Sequence, residues 1–305
     1  MVTATLEPRP EHAAALTGVS KVARDVWSLR LLIVNVIFAR SDSGWVLVDT
    51  GVAGSAGRIA RAADHLFGTA PDCIVLTHGH FDHVGAVRTL ADRWDVPVYA
   101  HPLEAPYLSG RSSYPPPDPS VGGGLMSLMA PLYPRGPIDL GRRLRTLPKS
   151  GTVPGLPEWV WVHTPGHTPG HIALFRQSDR TLISGDAFVT TRQESALSVL
   201  TQRAEMHGPP MYFTPDWPAA RDSVRILAAL EPRTAVTGHG PAMDGPELRR
   251  ALEHLADQFN HLARPGRGRY LHAAAAADET GVTYVPPAEP GRAPRIIAAA
   301  AVGAR

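Results

Sequence analysis

With a single cysteine, Cys73, in 305 residues, the chain can form no intrachain disulfide, and a reducing, cytoplasmic setting is the expectation. Lysine is nearly missing too, found only at positions 21 and 149, so arginine carries almost all the positive charge. The arginine clusters, Arg142-Arg143-Leu144-Arg145 and Arg264 through Arg269, are short and lack the interleaved aromatics on which a single-strand binder stacks bases. A net charge of only +2 leaves no polyanion footprint, so no nucleic-acid partner is expected. Long apolar runs are absent as well. The richest early stretch, Leu31 to Ala39, falls short of the ~20 residues a bilayer span needs. The first twenty residues, with Glu7, Arg9 and Glu11, do not read as a signal peptide, so no membrane partner is expected. What is left, 44% hydrophobic and 19% charged residues, suits a globular protein with a sizeable core.

The chemistry that is present is concentrated in Thr77-His78-Gly79-His80-Phe81-Asp82-His83. Before it, the short apolar run Cys73-Ile74-Val75-Leu76, flanked by Pro71-Asp72, predicts a buried strand. After it, Val84 to Ala91 carries apolar residues at helical spacing. Four potential metal ligands, His78, His80, Asp82 and His83, therefore share one strand-to-helix turn. Such a turn can aim them at one point, whereas a regular strand would send alternate side chains to opposite faces. Imidazole suits zinc, copper, iron or nickel, and the carboxylate offsets a divalent charge.

Along the rest of the chain, residues 1–21 read as a lead-in, 22–264 as the main domain and 265–305 as an extended tail. Val22 to Phe38 suits two paired strands, and Trp45-Val46-Leu47-Val48 a third that ends at Asp49-Thr50-Gly51. A helix is expected from about Ala53 to Phe67, and a strand at Pro97 to Ala100. Residues 102–150 change character, with Pro115-Pro116-Pro117-Asp118-Pro119 and Gly122-Gly123-Gly124 as punctuation. The apolar patch Leu125, Met126, Leu128, Met129, Leu132 and Tyr133 within them is either a lid over a site or an ordinary helix packed on the core. Strands resume at Trp159–Val162, Ile172–Phe175, Thr181–Ser184 and Thr234–Val236. Helices are expected from about Ala219 to Leu230 and along Leu248, Leu252, Leu255, Phe259 and Leu262. Alternating strands and helices in two similar halves predict a layered α/β architecture. The alanine runs 273–277 and 298–301 are open between helix and irregular chain.

Three later strands end in polar residues of the same kind. Pro165-Gly166-His167-Thr168-Pro169-Gly170-His171 follows the first, Gly185-Asp186 the third and Gly238-His239-Gly240 the last. Together with His78-x-His80-x-Asp82-His83 and the opening Asp49-Thr50-Gly51, these motifs resemble, in order and across roughly residues 22–240, the metallo-β-lactamase fold superfamily. The resemblance implies a four-layer αβ/βα sandwich with two divalent metal ions at one sheet edge, zinc first, with iron or manganese compatible. It implies His78, His80 and His167 on one ion, Asp82, His83 and His239 on the other, and Asp186 bridging them. Asp49 and His171 are then orienting residues rather than ligands.

The activity so implied is metal-assisted hydrolysis of a small-molecule carbonyl substrate by a metal-bridging hydroxide, with Asp82 as catalytic proton relay. Esters, lactones and thioesters lead, because the Pro165–His171 run resembles both lactonases and hydroxyacylglutathione hydrolases; β-lactams and phosphodiesters follow. Phe188 and Val189 stand where lactonases carry a tyrosine, with Tyr212 available from the next segment. The rival reading is a mononuclear iron persulfide dioxygenase.

Overall fold

Alternation along the strands decides the layering. Val46 and Val48 belong to one apolar cluster, while Trp45 and Leu47 belong to another. The same split separates Cys73 and Val75 from Ile74, Leu174 from Ala173 and Phe175, and Val236 from Ala235. Successive side chains of a strand face opposite ways, so strands of this kind need cover on both faces. The computed structural model, which describes residues 18–288, provides it with two sheets packed face to face and helices outside each.

The first sheet runs in chain order: β1 (Val19–Ala23), β2 (Val26–Leu31), β3 (Val34–Arg40), β4 (Trp45–Val48), β5 (Cys73–Val75), β6 (Val98–Ala100) and β7 (Leu144–Thr146). The helices Ala56–Leu66 and Val87–Trp94 cover its outer face through Ile59, Ala63, Val87 and Leu90. The second sheet is built from β8 (Thr152–Val153), β9 (Leu156–His163), β10 (Ile172–Arg176), β11 (Thr181–Ile183), β12 (Thr234–Val236) and β13 (Met243–Asp244). The helices Trp217–Ala229 and Gly245–Asp257 close its outer face through Val224, Leu227, Leu248 and Leu252. Between the sheets lies an apolar layer that includes Ile37, Val48, Val75, Trp159, Leu174 and Ile183. This is the αβ/βα sandwich of the metallo-β-lactamase fold that the motifs predict.

Three departures from the sequence expectation have local causes. Val22 to Phe38 spans three strands rather than two, because Asp25 and Leu32 adopt left-handed turn conformations (φ 56° and 60°) inside apolar sequence without glycine or proline punctuation. The end of the 102–150 segment supplies edge strand β7, which pairs parallel with β6, and Leu147 beyond it is buried in the layer between the sheets. In the C-terminal part, Tyr270 is buried against the second outer layer, and β14 (Ala276–Asp278) pairs antiparallel with β15 (Gly281–Tyr284). The alanine run 298–301 and residues 1–17 of the lead-in lie outside the described residues. Among the described residues no helix is long and apolar enough to cross a membrane.

Candidate metal centre

Parallel neighbours finish at the same edge of a sheet, and β4 pairs parallel with β5, as β11 does with β12. The motif residues follow those ends. Asp49 succeeds β4, His78 and His80 succeed β5, Asp186 succeeds β11 and His239 succeeds β12. Asp82 and His83 sit in the single helical turn Phe81–Val84, with His80 at its N-cap position, and His167 comes from the β9–β10 connection. Asn35 at the start of β3 ties the two sheets together here: its Nδ2 donates to the carbonyls of Thr237 (2.9 Å) and Gly240 (2.7 Å).

All seven predicted ligand residues are buried, Asp82 the least so at 7% exposure. His78 Nε2 lies 3.0 Å from His80 Nδ1, which lies 2.9 Å from His167 Nε2. Beside this trio, His239 Nε2 is 3.0 Å from Asp186 Oδ2 and 3.5 Å from Asp82 Oδ2. The Asp186 carboxylate stands between the groups: its Oδ1 is 3.5 Å from His83 Nε2 and its Oδ2 is 3.5 Å from His167 Nε2. In each of the sets His78/His80/His167, His78/His83/Asp186 and Asp82/His83/His239, the candidate ligand atoms lie within 4.8 Å of one another.

A divalent cation fits this donor set on two grounds. Three converging imidazole nitrogens cannot all be satisfied by one another, since a neutral ring offers one N–H and one lone pair. A tetrahedral shell with bonds of about 2.0–2.1 Å would hold them ~3.3 Å apart, close to the spacing seen. His83 Nε2 and Asp186 Oδ1, moreover, are buried without a hydrogen-bond partner. Such orphans are costly unless something satisfies them.

The outward-facing atoms of these side chains are held in turn. Asp49, itself in a left-handed conformation (φ 61°), accepts from the Thr77 amide (2.8 Å) and hydroxyl (2.7 Å) and pairs with His83 Nδ1 at 2.7 Å. Thr77 Oγ1 lies 3.1 Å from His78 Nδ1, and His239 Nδ1 lies 2.6 Å from the Ile33 carbonyl oxygen. His171 Nε2 accepts the Asp186 amide hydrogen bond (2.9 Å), which makes it an orienting neighbour of that carboxylate. Glycine is required at 238, where a Cβ would come within 2.0 Å of Asp186 Oδ1. His163 stands apart, stacked on His101 with ring centroids 4.2 Å apart.

Burial pushes His80 down to about 3 and His78 and His167 well below the usual histidine range, and neighbouring histidines, His83 among them in every case, lower each further against the pull of Asp186. For His83 and His239 burial acts in the same sense, but it is outweighed by Asp186, helped by Asp49 for His83 and by Asp82 for His239, and both are raised. Burial raises Asp82, against the pull of His83 and His239.

The 102–150 segment contributes more than sequence alone indicated. In the helix Leu125–Met129 and the turn after it, Met126, Ala130 and Tyr133 pack with Tyr212, Phe213 and Phe81, while Leu128 and Leu132 stay exposed. Phe213 stacks on His80 at 4.6 Å between centroids, so this aromatic cluster forms a wall beside the site. Glu104 was not singled out by sequence. It is fully buried and bonded to both histidine-bearing loops. Its only signal was a carboxylate among the apolar residues Leu103, Ala105, Tyr107 and Leu108, just after a strand.

Comparison with known proteins agrees with this geometry. Residues 29–239 match the family model described as "Metallo-beta-lactamase superfamily". The chain is 45% identical over 247 residues to the "Probable metallo-hydrolase YflN" of Bacillus subtilis (strain 168), covering 79% of this chain and 94% of that one. A second Bacillus subtilis relative, "Probable metallo-hydrolase YybB", is 30% identical over 68% of this chain and 80% of its own. Among solved structures the fold is shared with the BLEG-1 B3 metallo-beta-lactamase (TM-score 0.53, 24% identity, 76% of this chain and 96% of that one). It is shared also with a beta-lactamase domain protein from Burkholderia ambifaria (TM-score 0.56, 20% identity, 79% and 76%). With its ordered motifs gathered at one sheet edge into a histidine–aspartate cluster able to bind metal, the chain belongs to the metallo-β-lactamase superfamily and is a metallo-hydrolase.

Proposed function

We propose that the protein is a binuclear hydrolase of small carbonyl substrates, with esters, lactones and thioesters ahead of β-lactams. The observation that carries this reading is the Asp186 carboxylate, with one oxygen 3.5 Å from His83 Nε2 and the other 3.5 Å from His167 Nε2. His78, His80 and His167 would hold one ion, and Asp82, His83 and His239 the other, with Asp186 shared. Zinc suits these imidazole and carboxylate donors best, and iron or manganese are tolerated by the same set. Ions held by these residues would polarise a carbonyl oxygen and lower the pKa of a bound water toward neutral.

The chain's own groups supply the rest. Asp82 is the least enclosed of the seven, so its free oxygen can take a proton from the attacking water and pass it to the leaving atom. Phe81, Tyr133, Tyr212 and Phe213 shield the site from water on one side. Burial keeps the two tyrosines protonated, which leaves this wall uncharged. An uncharged aromatic wall supports an apolar acyl or ring substrate over a phosphodiester. The single, buried cysteine supports a reducing compartment such as the cytoplasm.

Elemental analysis followed by a screen of lactones, thioesters, esters and β-lactams on the same preparation tests the proposal. About two metal equivalents per chain and carbonyl hydrolysis are expected; one iron with oxygen consumption, or turnover of phosphodiesters alone, overturns it. His80→Ala should reduce turnover at least ~100-fold in a folded protein.

A further inference from the structure

Glu104 ends the short 3-10 turn Pro102–Glu104 that follows β6, and its carboxylate lies between the two loops that carry the first histidine trio. It is 0% exposed. Its Oε2 accepts from the Gly79 amide (2.9 Å) and from the Tyr114 hydroxyl, and its Oε1 accepts from Thr168 Oγ1 (2.8 Å) and the Gly170 amide (2.8 Å). Gly79 lies between His78 and His80, and Thr168 directly follows His167. One carboxylate thus fastens the loop of two histidines to the loop of the third.

The packing is tight enough to dictate sequence. A Cβ on Gly79 would stand 2.5 Å from the Tyr114 hydroxyl oxygen, and one on Gly170 would stand 2.8 Å from Glu104 Cγ. Neither glycine has a positive φ, so close approach rather than backbone freedom is the reason for each. Four donors converge on two oxygens, which matches the roughly four lone-pair sites of a carboxylate. A glutamine would turn an amide NH2 toward two of those donors.

We infer that Glu104 is a positioning residue, clasping the two loops so that His78, His80 and His167 keep the spacing of a metal site. The inference rests on the two-metal reading above. The second group has anchors of its own, His83 on Asp49 and His239 on the Ile33 carbonyl. Loss of an outer contact of this kind typically weakens metal binding about 10–100-fold.

Calorimetric zinc titrations and Co(II) absorption spectra of the wild type, Glu104→Gln and Tyr114→Phe test it. In E104Q, one of the two ions should bind about 10–100-fold more weakly and the other nearly as in the wild type, with an altered Co(II) spectrum and a metal-free protein that melts at a lower temperature but still folds. Y114F, which keeps the carboxylate and removes one donor, should shift the same ion by less. Wild-type affinities and spectrum in E104Q would overturn the clasp, as would equal weakening of both ions with a collapse of metal-free stability. If E104Q does not fold, Y114F decides by the same criteria. A wild type that binds a single ion counts against the two-metal reading, and the clasp is then judged by whether E104Q, still folded, weakens that ion and alters its Co(II) spectrum, with Y114F doing so by less.

Discussion

His78, His80 and His167 stand mainly among other imidazoles, whereas His83 and His239 face carboxylates directly, and the two groups' hold on a proton shifts in opposite directions although all five rings are buried. For the first three, desolvation and the neighbouring imidazoles outweigh the pull of Asp186 and loosen each ring's hold on its proton. With Asp186 between them, and Asp49 and Asp82 alongside, His83 and His239 hold theirs more firmly than free histidine does. The first group is therefore ready to accept a cation, while the second must exchange protons for one. Metal loading should release protons mainly from the second group.

The largest test of this difference removes the shared charge. Asp186→Asn should lower turnover by at least ~100-fold and reduce metal stoichiometry. In the metal-free protein it should bring the His83 and His239 titrations, followed by NMR, down toward those of the first group. Titrations that stay raised would show that Asp49 and Asp82 suffice to hold those protons.

Next comes the outer support. Asp49→Asn turns an amide against donors from Thr77 and His83, and should weaken the ion held by His83 about 10–100-fold. It should do so while touching the other ion less, the reverse of the selectivity expected for E104Q. Identical loss patterns in the two variants would mean that the halves do not load independently.

The smallest effect is on pH dependence. Burial holds His171, like His80, at about 3, against about 6.5 when unfolded. Between those values the unfolded state binds more protons, so the stability they supply is complete above pH ~6.5 and is lost as pH falls toward 3. His83 and His239 act oppositely: with raised folded values, their contribution is complete below ~6.5 and lost as pH rises through those values. His171→Gln should therefore flatten the acid limb of the metal-free stability profile and leave its alkaline limb alone, as thermal melts from pH 4 to 8 would read. An unchanged acid limb would exclude His171 from that linkage.

Much of this was legible because the chemistry lies in short local patterns. Cys73 to Val75 followed by three histidines and an aspartate announces a strand end with ligands, and Gly185-Asp186 and Gly238-His239 repeat the device. Strand count before Phe38 was less readable, because turns at Asp25 and Leu32 use left-handed residues that no glycine marks. Glu104 and Asn35 were invisible for another reason. Their partners, Thr168 and Thr237, lie 64 and 202 residues away, and no local pattern carries such pairings.

The sequence by itself determined the layered α/β class and the ordering of the histidine and aspartate motifs, since periodicity and turn chemistry act over a few residues, and the resemblance of those motifs to a known family named the seven candidate ligands. Tertiary structure alone decided which rings share carboxylates, which stand neutral, and which buried acid joins the two loops. Those outcomes depend on desolvation and on distances of 3–4 Å between segments far apart in the chain, and both exist only once the two sheets have closed on each other.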